Sequence, residues 1–234
     1  MSNTCLLFDA SGQIAHQGLA PVLSPERDDL PAYPIGDGLV VQRLKETRTE
    51  PEWHRPTDRL AVYALGVLGF RERTLVDPVS GGALNFEQPT VGRTSEGAMV
   101  FPRIDPAVIG RIELKDEERI LLGRNTLRPD FYSLIAGYVD LGETFEEAMS
   151  REAMEEAGRR IEDIEYKASQ PWPYSGSLMV GMSATTEDEH PVAETDGELA
   201  DVVWASRDDI EQNKYPLPRK GSIALRLIGE WMNE

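Results

Sequence analysis

Between Thr144 and Gly158 the chain carries its own helix start, its own helix stop and an apolar face that contains acid. Thr144 and Glu147 form a T-x-x-E capping box, which starts the helix at Phe145. Gly158 supplies the left-handed residue that ends it. At about 100° per residue, Phe145, Ala148, Met149, Glu152 and Glu156 share one face. The first turn of that face is apolar and is expected to be buried. Glu152 and Glu156 continue the stripe, about 40° apart, and Glu155 flanks it. A Glu-rich helix is ordinarily a solvated surface, but carboxylates on a core-facing stripe do not fit that description. At (i, i+4), Glu152 and Glu156 also repel by roughly a few tenths of a kcal/mol. A hard divalent cation would reverse that sign, because Mg²⁺ takes oxygen ligands and suits a few carboxylates facing a phosphate. Arg151 stands four residues before Glu155 and can orient it.

The remainder of the chain sets limits. Its 234 residues suggest one main domain with a smaller partner. A net charge of −17 repels phosphate backbones and argues against sequence-blind nucleic-acid binding. The single cysteine, Cys5, excludes a disulfide within the chain and any paired-cysteine zinc site. Within Cys5-Leu6-Leu7-Phe8 it reads as a small buried hydrophobe. The longest apolar run, Leu60 to Phe70, is too short to span a bilayer. Met1-Ser2-Asn3-Thr4 lacks the basic lead and apolar core of a secretory signal, so the expected location is the cytoplasm.

Along the chain, residues 1 to about 58 read as short strands and turns, and 59 to about 73 as a helix. Residues 76 to 99 are rich in Gly and Pro and read as a loop-rich connector. Strand patterns follow at Val108–Leu114, Arg119–Gly123, Leu178–Met182 and Val202–Trp204. A last amphipathic helix is expected at about 220 to 232.

Residues Gly137, Glu143, Arg151, Glu152, Glu155, Glu156 and Gly158 fall on the fixed positions of the Nudix box, G-x5-E-x7-R-E-U-x-E-E-x-G-U, where U is bulky and apolar. Seven such matches would arise by chance in about 10⁻⁷ of windows. The segment therefore resembles the Nudix hydrolase superfamily. It departs from the motif at Ala153, on the first U, and at Arg159, on the last; Ile161 is available for the packing that Arg159 gives up.

A second run, Ser169-Gln170-Pro171-Trp172-Pro173-Tyr174-Ser175-Gly176-Ser177-Leu178-Met179, resembles the S-Q-P-W-P-F-P-x-S-L-M signature of NADH pyrophosphatases within that superfamily, with Ser175 on the second proline. Phe101–Ile109 resembles the strand that opens the family's catalytic domain. The resemblance covers residues 99 to 234 and fits the first 75 poorly. It implies an α+β fold: a Nudix α/β/α sandwich at residues 102–234, a small β-rich N-terminal domain at 1–75 and a connector at 76–101. It also implies Mg²⁺- or Mn²⁺-dependent hydrolysis of NADH or NAD⁺ to nicotinamide mononucleotide and AMP, by a homodimer.

The same resemblance assigns residues. Glu152, Glu155, Glu156, Glu198 and the Ala136 carbonyl are the implied metal ligands, and Arg151, Glu155 and Glu156 the implied catalytic residues. The general base is left open among Glu155, Glu156 and Glu198. Phe101 and Tyr138 match the aromatics that sandwich the nicotinamide, a use that suits flat rings. Gln170, Pro171, Trp172, Pro173, Tyr174, Ser175, Gly176, Ser177 and Ala224 match substrate-contacting positions, although helix periodicity alone makes Ala224 plain core. The family's zinc-ribbon cysteines correspond to Asp77, Ser80, Arg93 and Glu96, so no structural zinc is expected, and an Asp77–Arg93 ion pair is expected where zinc would sit. ADP-ribose or NAD-capped RNA remain alternative substrates, and a non-catalytic nucleotide-sensing domain is the rival from another class.

Overall fold

The computed structural model describes residues 4–18 and 20–234. The chain divides into two compact units. One runs to Ile104 and also takes in Trp172–Gly176; the other comprises Asp105–Pro171 and Ser177–Glu234.

In the first unit, the short apolar clusters form β1 (Thr4–Phe8), β2 (Ile14–Gln17), β3 (Ala20–Pro21), β4 (Leu23–Pro25), β5 (Tyr33–Gly36), β6 (Leu39–Arg43) and β7 (Trp53–His54). They share one sheet in the order β3-β2-β1-β6-β5, with β4 added on β1 and β7 on β2. The helix α1 (Arg59–Arg73) is capped by Asp58, whose carboxylate accepts the Ala61 N–H at 2.8 Å. Its Ala61, Ala64, Leu65 and Leu68 pack on Leu6, Phe8, Ile14 and Val41. Tyr174 joins that cluster, and the Arg55 guanidinium lies 5.1 Å from the Trp172 ring centre and 5.0 Å from that of Tyr174. These contacts account for the membership of Trp172–Gly176 in this unit.

The connector read as loop-rich contains a small sheet, β8 (Asn85–Gln88), β9 (Val91–Arg93) and β10 (Met99–Val100), in the order β10-β9-β8. Its strands are short and mostly polar, so no alternation announced them. The expected Asp77–Arg93 pair is not formed. Asp77 instead accepts the Val79 N–H at 3.3 Å, the Ser80 N–H at 3.0 Å and the Ser80 hydroxyl at 2.5 Å. Local N–H groups two and three residues away are in place as soon as the turn forms, whereas Arg93 is an exposed strand residue. A similar turn is built on buried Thr94, whose hydroxyl accepts the Ala98 N–H at 3.1 Å.

The second unit is a three-layer sandwich. Its sheet holds β11 (Asp105–Leu114), β12 (Arg119–Asn125), β13 (Ile135–Tyr138), β14 (Glu162–Trp172), β15 (Ser177–Thr186) and β16 (Leu199–Ser206), in the order β14-β15-β11-β12-β16 with β13 added on β11. The β11–β15 pair is parallel, from Asp105 opposite Ser177 to Leu114 opposite Thr186. The helices are α2 (Phe145–Ala157), α3 (Arg207–Glu211) and α4 (Ile223–Trp231).

Strand alternation sends successive side chains to opposite faces. Val108, Ile112, Leu121, Val180 and Met182 point to α2, where Ala148, Met149, Ala153 and Ala157 cover them. Ile109, Ile120, Leu122 and Ala205 point to α4, where Ile223, Ala224, Leu227, Ile228 and Trp231 cover them. Each large side chain so buried contributes about 1.5–3 kcal/mol. At Gly110 a Cβ would come within 2.5 Å of Met149, so the bare backbone there lets α2 lie close to the sheet. Among the described residues, no helix is long and apolar enough to cross a membrane.

Candidate active site

Local chemistry fixes both ends of α2. The Thr144 hydroxyl accepts the Glu147 N–H at 3.2 Å, and the Glu147 carboxylate accepts the Thr144 N–H at 2.8 Å. Gly158 sits at φ 66°, in the left-handed region that closes the helix. Phe145, expected to be buried, is 40% exposed. The apolar stripe becomes core only from Ala148 onward, where the helix lies over the sheet.

On that face Glu152 is 9% exposed and Glu156 4%. The Glu152 carboxylate lies against the backbone of Gly137 so closely that a Cβ there would come within 1.9 Å of it. This gives a physical reason for glycine at position 137. The Glu156 carboxylate faces the neighbouring peptide of β13, where the Ala136 N–H donates to it at 3.4 Å, a long hydrogen bond.

Arg151 is the hub of the site. Its Nε and one Nη donate to the two oxygens of Glu143 at 2.6 and 2.9 Å; the other Nη donates to Glu152 at 2.7 Å and to Glu155 at 2.9 Å. It also donates to the Tyr138 carbonyl at 2.9 Å. Glu143, outside the helix, is the partner that helical spacing did not announce. The guanidinium holds its carboxyl down at about 2.

Glu198 precedes β16 and is held from the sheet. A bulge at Arg124/Asn125 breaks the β12–β16 register, and beside it the Asn125 amide donates to Glu198 Oε1 at 2.9 Å while the Thr126 N–H donates to the Glu198 carbonyl at 3.0 Å. No sequence signal marked Asn125.

The electrostatics separate these acids. Burial, followed by the nearby charges of Glu198 and Glu152, pushes Glu156 up to about 8. Burial likewise raises Glu152, against the opposing pull of Arg151. Glu156 repels Glu152 and Glu198 nearby and, among the described residues, receives one long N–H, so its need for positive charge is unmet. The set is all oxygen, the kind a hard divalent cation takes. As they stand, the carboxylates turn to Arg151 and Asn125, and among the described residues no three His, Cys, Asp or Glu side chains converge on one point.

The remaining expected positions divide between the units. Tyr138 is 55% exposed, with its hydroxyl 3.2 Å from that of Ser177. Gln170 bridges to the start of α4, donating to the Gly221 carbonyl at 2.6 Å and accepting the Ile223 N–H at 2.8 Å, beside Pro171. Ala224 is 3% exposed and lies in the α4 core, where periodicity alone puts it. Phe101, 57% exposed, belongs to the first unit, as do Trp172, Pro173, Tyr174, Ser175 and Gly176.

A family model described as the NUDIX domain matches residues 105–225. The chain belongs to the Nudix family. A Nudix hydrolase crystal structure from Nitrosomonas europaea shares the fold with a TM-score of 0.54 at 19% identity, covering 68% of this chain and 90% of that one. A Mycobacterium bovis protein named NAD-capped RNA hydrolase NudC is 38% identical over 144 residues, covering 56% of this chain and 46% of the relative. A Macaca fascicularis protein named NAD-capped RNA hydrolase NUDT12 is 33% identical over 140 residues, covering 56% and 30%. The match takes in less than half the length of either relative.

Proposed function

We propose that this Nudix protein hydrolyses the pyrophosphate bond of NADH or NAD⁺, giving nicotinamide mononucleotide and AMP. The observation that carries this reading is the crowding of buried Glu152 and Glu156 beside Glu198, with Glu156 short of donors. Likeness to relatives named for NAD-capped RNA hydrolysis supports a substrate of this chemistry.

Glu152, Glu155, Glu156, Glu198 and the Ala136 carbonyl would hold Mg²⁺ or Mn²⁺. A divalent ion bound there supplies charge neutralisation for the phosphates and a lowered pKa for an attacking water. Arg151 keeps Glu152 and Glu155 on one side of the site and ties both to Glu143. Glu156, raised to about 8, holds a proton at neutral pH that binding of a divalent ion there would displace. The base that accepts the water's proton belongs to Glu155, Glu156 or Glu198. Tyr138 presents an exposed ring for stacking on the nicotinamide. Gln170, fixed by two hydrogen bonds, stiffens the substrate-facing run at its start. The homodimer rests on the family resemblance and is tested by sedimentation.

Incubation with NADH, NAD⁺, ADP-ribose and NAD-capped RNA, with and without Mn²⁺, tests the reading. Mononucleotide products from NADH or NAD⁺ that require Mn²⁺ are expected; turnover of ADP-ribose alone would replace this substrate assignment. Tyr138→Ala should lower kcat/KM for NADH about fivefold, the equivalent of about 1 kcal/mol of stacking, and leave ADP-ribose unaffected. Equal losses on both would remove Tyr138 from the nicotinamide.

A further inference from the structure

Arg159 follows the glycine that ends α2, at the place where the Nudix box has a bulky apolar residue. It is only 5% exposed. Burying a guanidinium is costly unless its hydrogen bonds are made. One Nη donates to the Ala157 carbonyl and the other to the Glu189 carbonyl at 3.0 Å. That same Glu189 oxygen accepts the indole N–H of Trp204, from β16, at 2.8 Å. One carbonyl therefore joins the helix end, the loop 187–198 and the strand that follows it.

The rest of the loop is stitched along the same helix end. The Val192 N–H donates to the Gly158 carbonyl at 2.8 Å, and the Asp196 N–H donates to the Glu155 carbonyl at 2.9 Å. Arg160 pairs with Asp188 at 2.5 Å. The loop ends at Glu198, whose N–H donates to Asp196 Oδ1 at 2.9 Å. A cavity of about 520 Å³ lies beside this junction, lined in part by Glu156, Arg159, Pro191, Leu199 and Trp204. Pro191 and Ala193 pack on Gly158, and beside the cavity hydrogen bonds add to that packing in setting the position of the loop.

We propose that Arg159 is a positioning residue. By clamping the Glu189 carbonyl together with Trp204, it fixes the loop that presents Glu198 to Glu152 and Glu156. This rests on the reading of those carboxylates as the metal-holding set.

Mn²⁺ binding by calorimetry on the full chain, without nucleotide, tests the proposal beside NADH turnover. Arg159→Leu restores the apolar residue type and should leave the metal-free melting temperature nearly unchanged. It should weaken Mn²⁺ binding and lower kcat by about tenfold each, the usual effect of removing an outer-shell partner, with KM for NADH little changed. In a Glu198→Gln background the same substitution should add less than about twofold, because it acts through Glu198. Trp204→Phe removes one donor to the same carbonyl and should weaken Mn²⁺ binding in the same direction, which keeps the test standing if Arg159→Leu fails to fold. Wild-type Mn²⁺ affinity in Arg159→Leu, or in Trp204→Phe where Arg159→Leu does not fold, overturns the clamp, as does full additivity with Glu198→Gln. If the wild-type chain binds Mn²⁺ yet hydrolyses no NADH, the substrate reading fails and the Mn²⁺ affinities alone decide the clamp. A wild-type chain that binds no Mn²⁺ overturns both.

Discussion

Asp77 and Glu156 are both buried acids, 6% and 4% exposed, yet they sit in opposite chemical states. Asp77 receives three donors from its own turn, and the Ser80 hydroxyl leads in holding its carboxyl below the usual range. Glu156 receives one long N–H and faces other acids, so it is pushed up to about 8. Burial alone does not set the state of a carboxylate; the supply of donors decides. In the connector the turn meets the need of the acid, at a position that the family resemblance matches to a zinc-ribbon cysteine. In α2 the need is left open, on the face where the proposed reaction requires a cation.

The contrast is most severely tested at Glu156. Glu156→Gln should lower turnover of NADH by at least about 10³-fold, roughly 4 kcal/mol in the transition state. Excess Mn²⁺ should recover little of it, and circular dichroism should show α2 intact, because the capping box and Gly158 are untouched. Glu146→Gln, exposed on the same helix, should behave as wild type. Substantial turnover by the Glu156 variant would remove α2 as the metal-binding element.

Next comes the pH dependence of the metal-free chain. The folded pKa of Glu156, about 8, lies above the ordinary 4.5. Between these values the folded state binds the extra proton, so the contribution is full below 4.5 and is lost as pH rises to about 8. The melting temperature in chelator should carry a falling component across that window. The component should vanish in Glu156→Gln and shrink when Mn²⁺ takes the place of the proton. An identical pH profile in the variant would show that Glu156 ionises normally.

Asp77 should show a smaller effect of opposite sign. Its depressed pKa gives stability present above the ordinary 3.8 and lost as pH falls. Asp77→Ala should lower the melting temperature modestly while kcat and Mn²⁺ affinity stay at wild-type values. A loss of Mn²⁺ affinity would mean that the two acids are not independent. The smallest expected signal is zinc: elemental analysis of the purified chain should find no stoichiometric zinc, and one tightly held ion per chain would overturn the view that the turn meets its own need.

What could be read from the sequence was what local chemistry writes into neighbouring residues. Both ends of α2 were legible because Thr144, Glu147 and Gly158 act within a few residues of one another. Strand β11 was legible because its apolar residues, from Val108 to Leu114, lie within a few residues of one another. By contrast, β14 was missed: most of Glu162–Trp172 is exposed or half-buried, so this edge strand has little apolar pattern to show. Phe145 misled because periodicity tells which face of a helix is buried but not where along its length the sheet begins. The site divides in the same way. Glu152 and Glu156 stand out from helix geometry and Glu143 only through the box resemblance, while the Asn125 contact depends on a bulge that no spacing rule encodes.

The parallel pairing of β11 with β15 also sets an order of assembly. All of α2 lies between the two strands, so on a growing chain the acidic helix is synthesised before the strand that completes its floor. Pairings between segments this far apart form late, because the intervening loop must be closed first. Until β15 and β16 are in place, the acids of α2 lack the neighbours that crowd them in the folded chain. Docking then both buries Glu156 and brings Glu198 beside it, so proton uptake at neutral pH marks the moment the site is completed. Refolding followed with a pH indicator should register that uptake in the last phase, after the helical signal has already appeared.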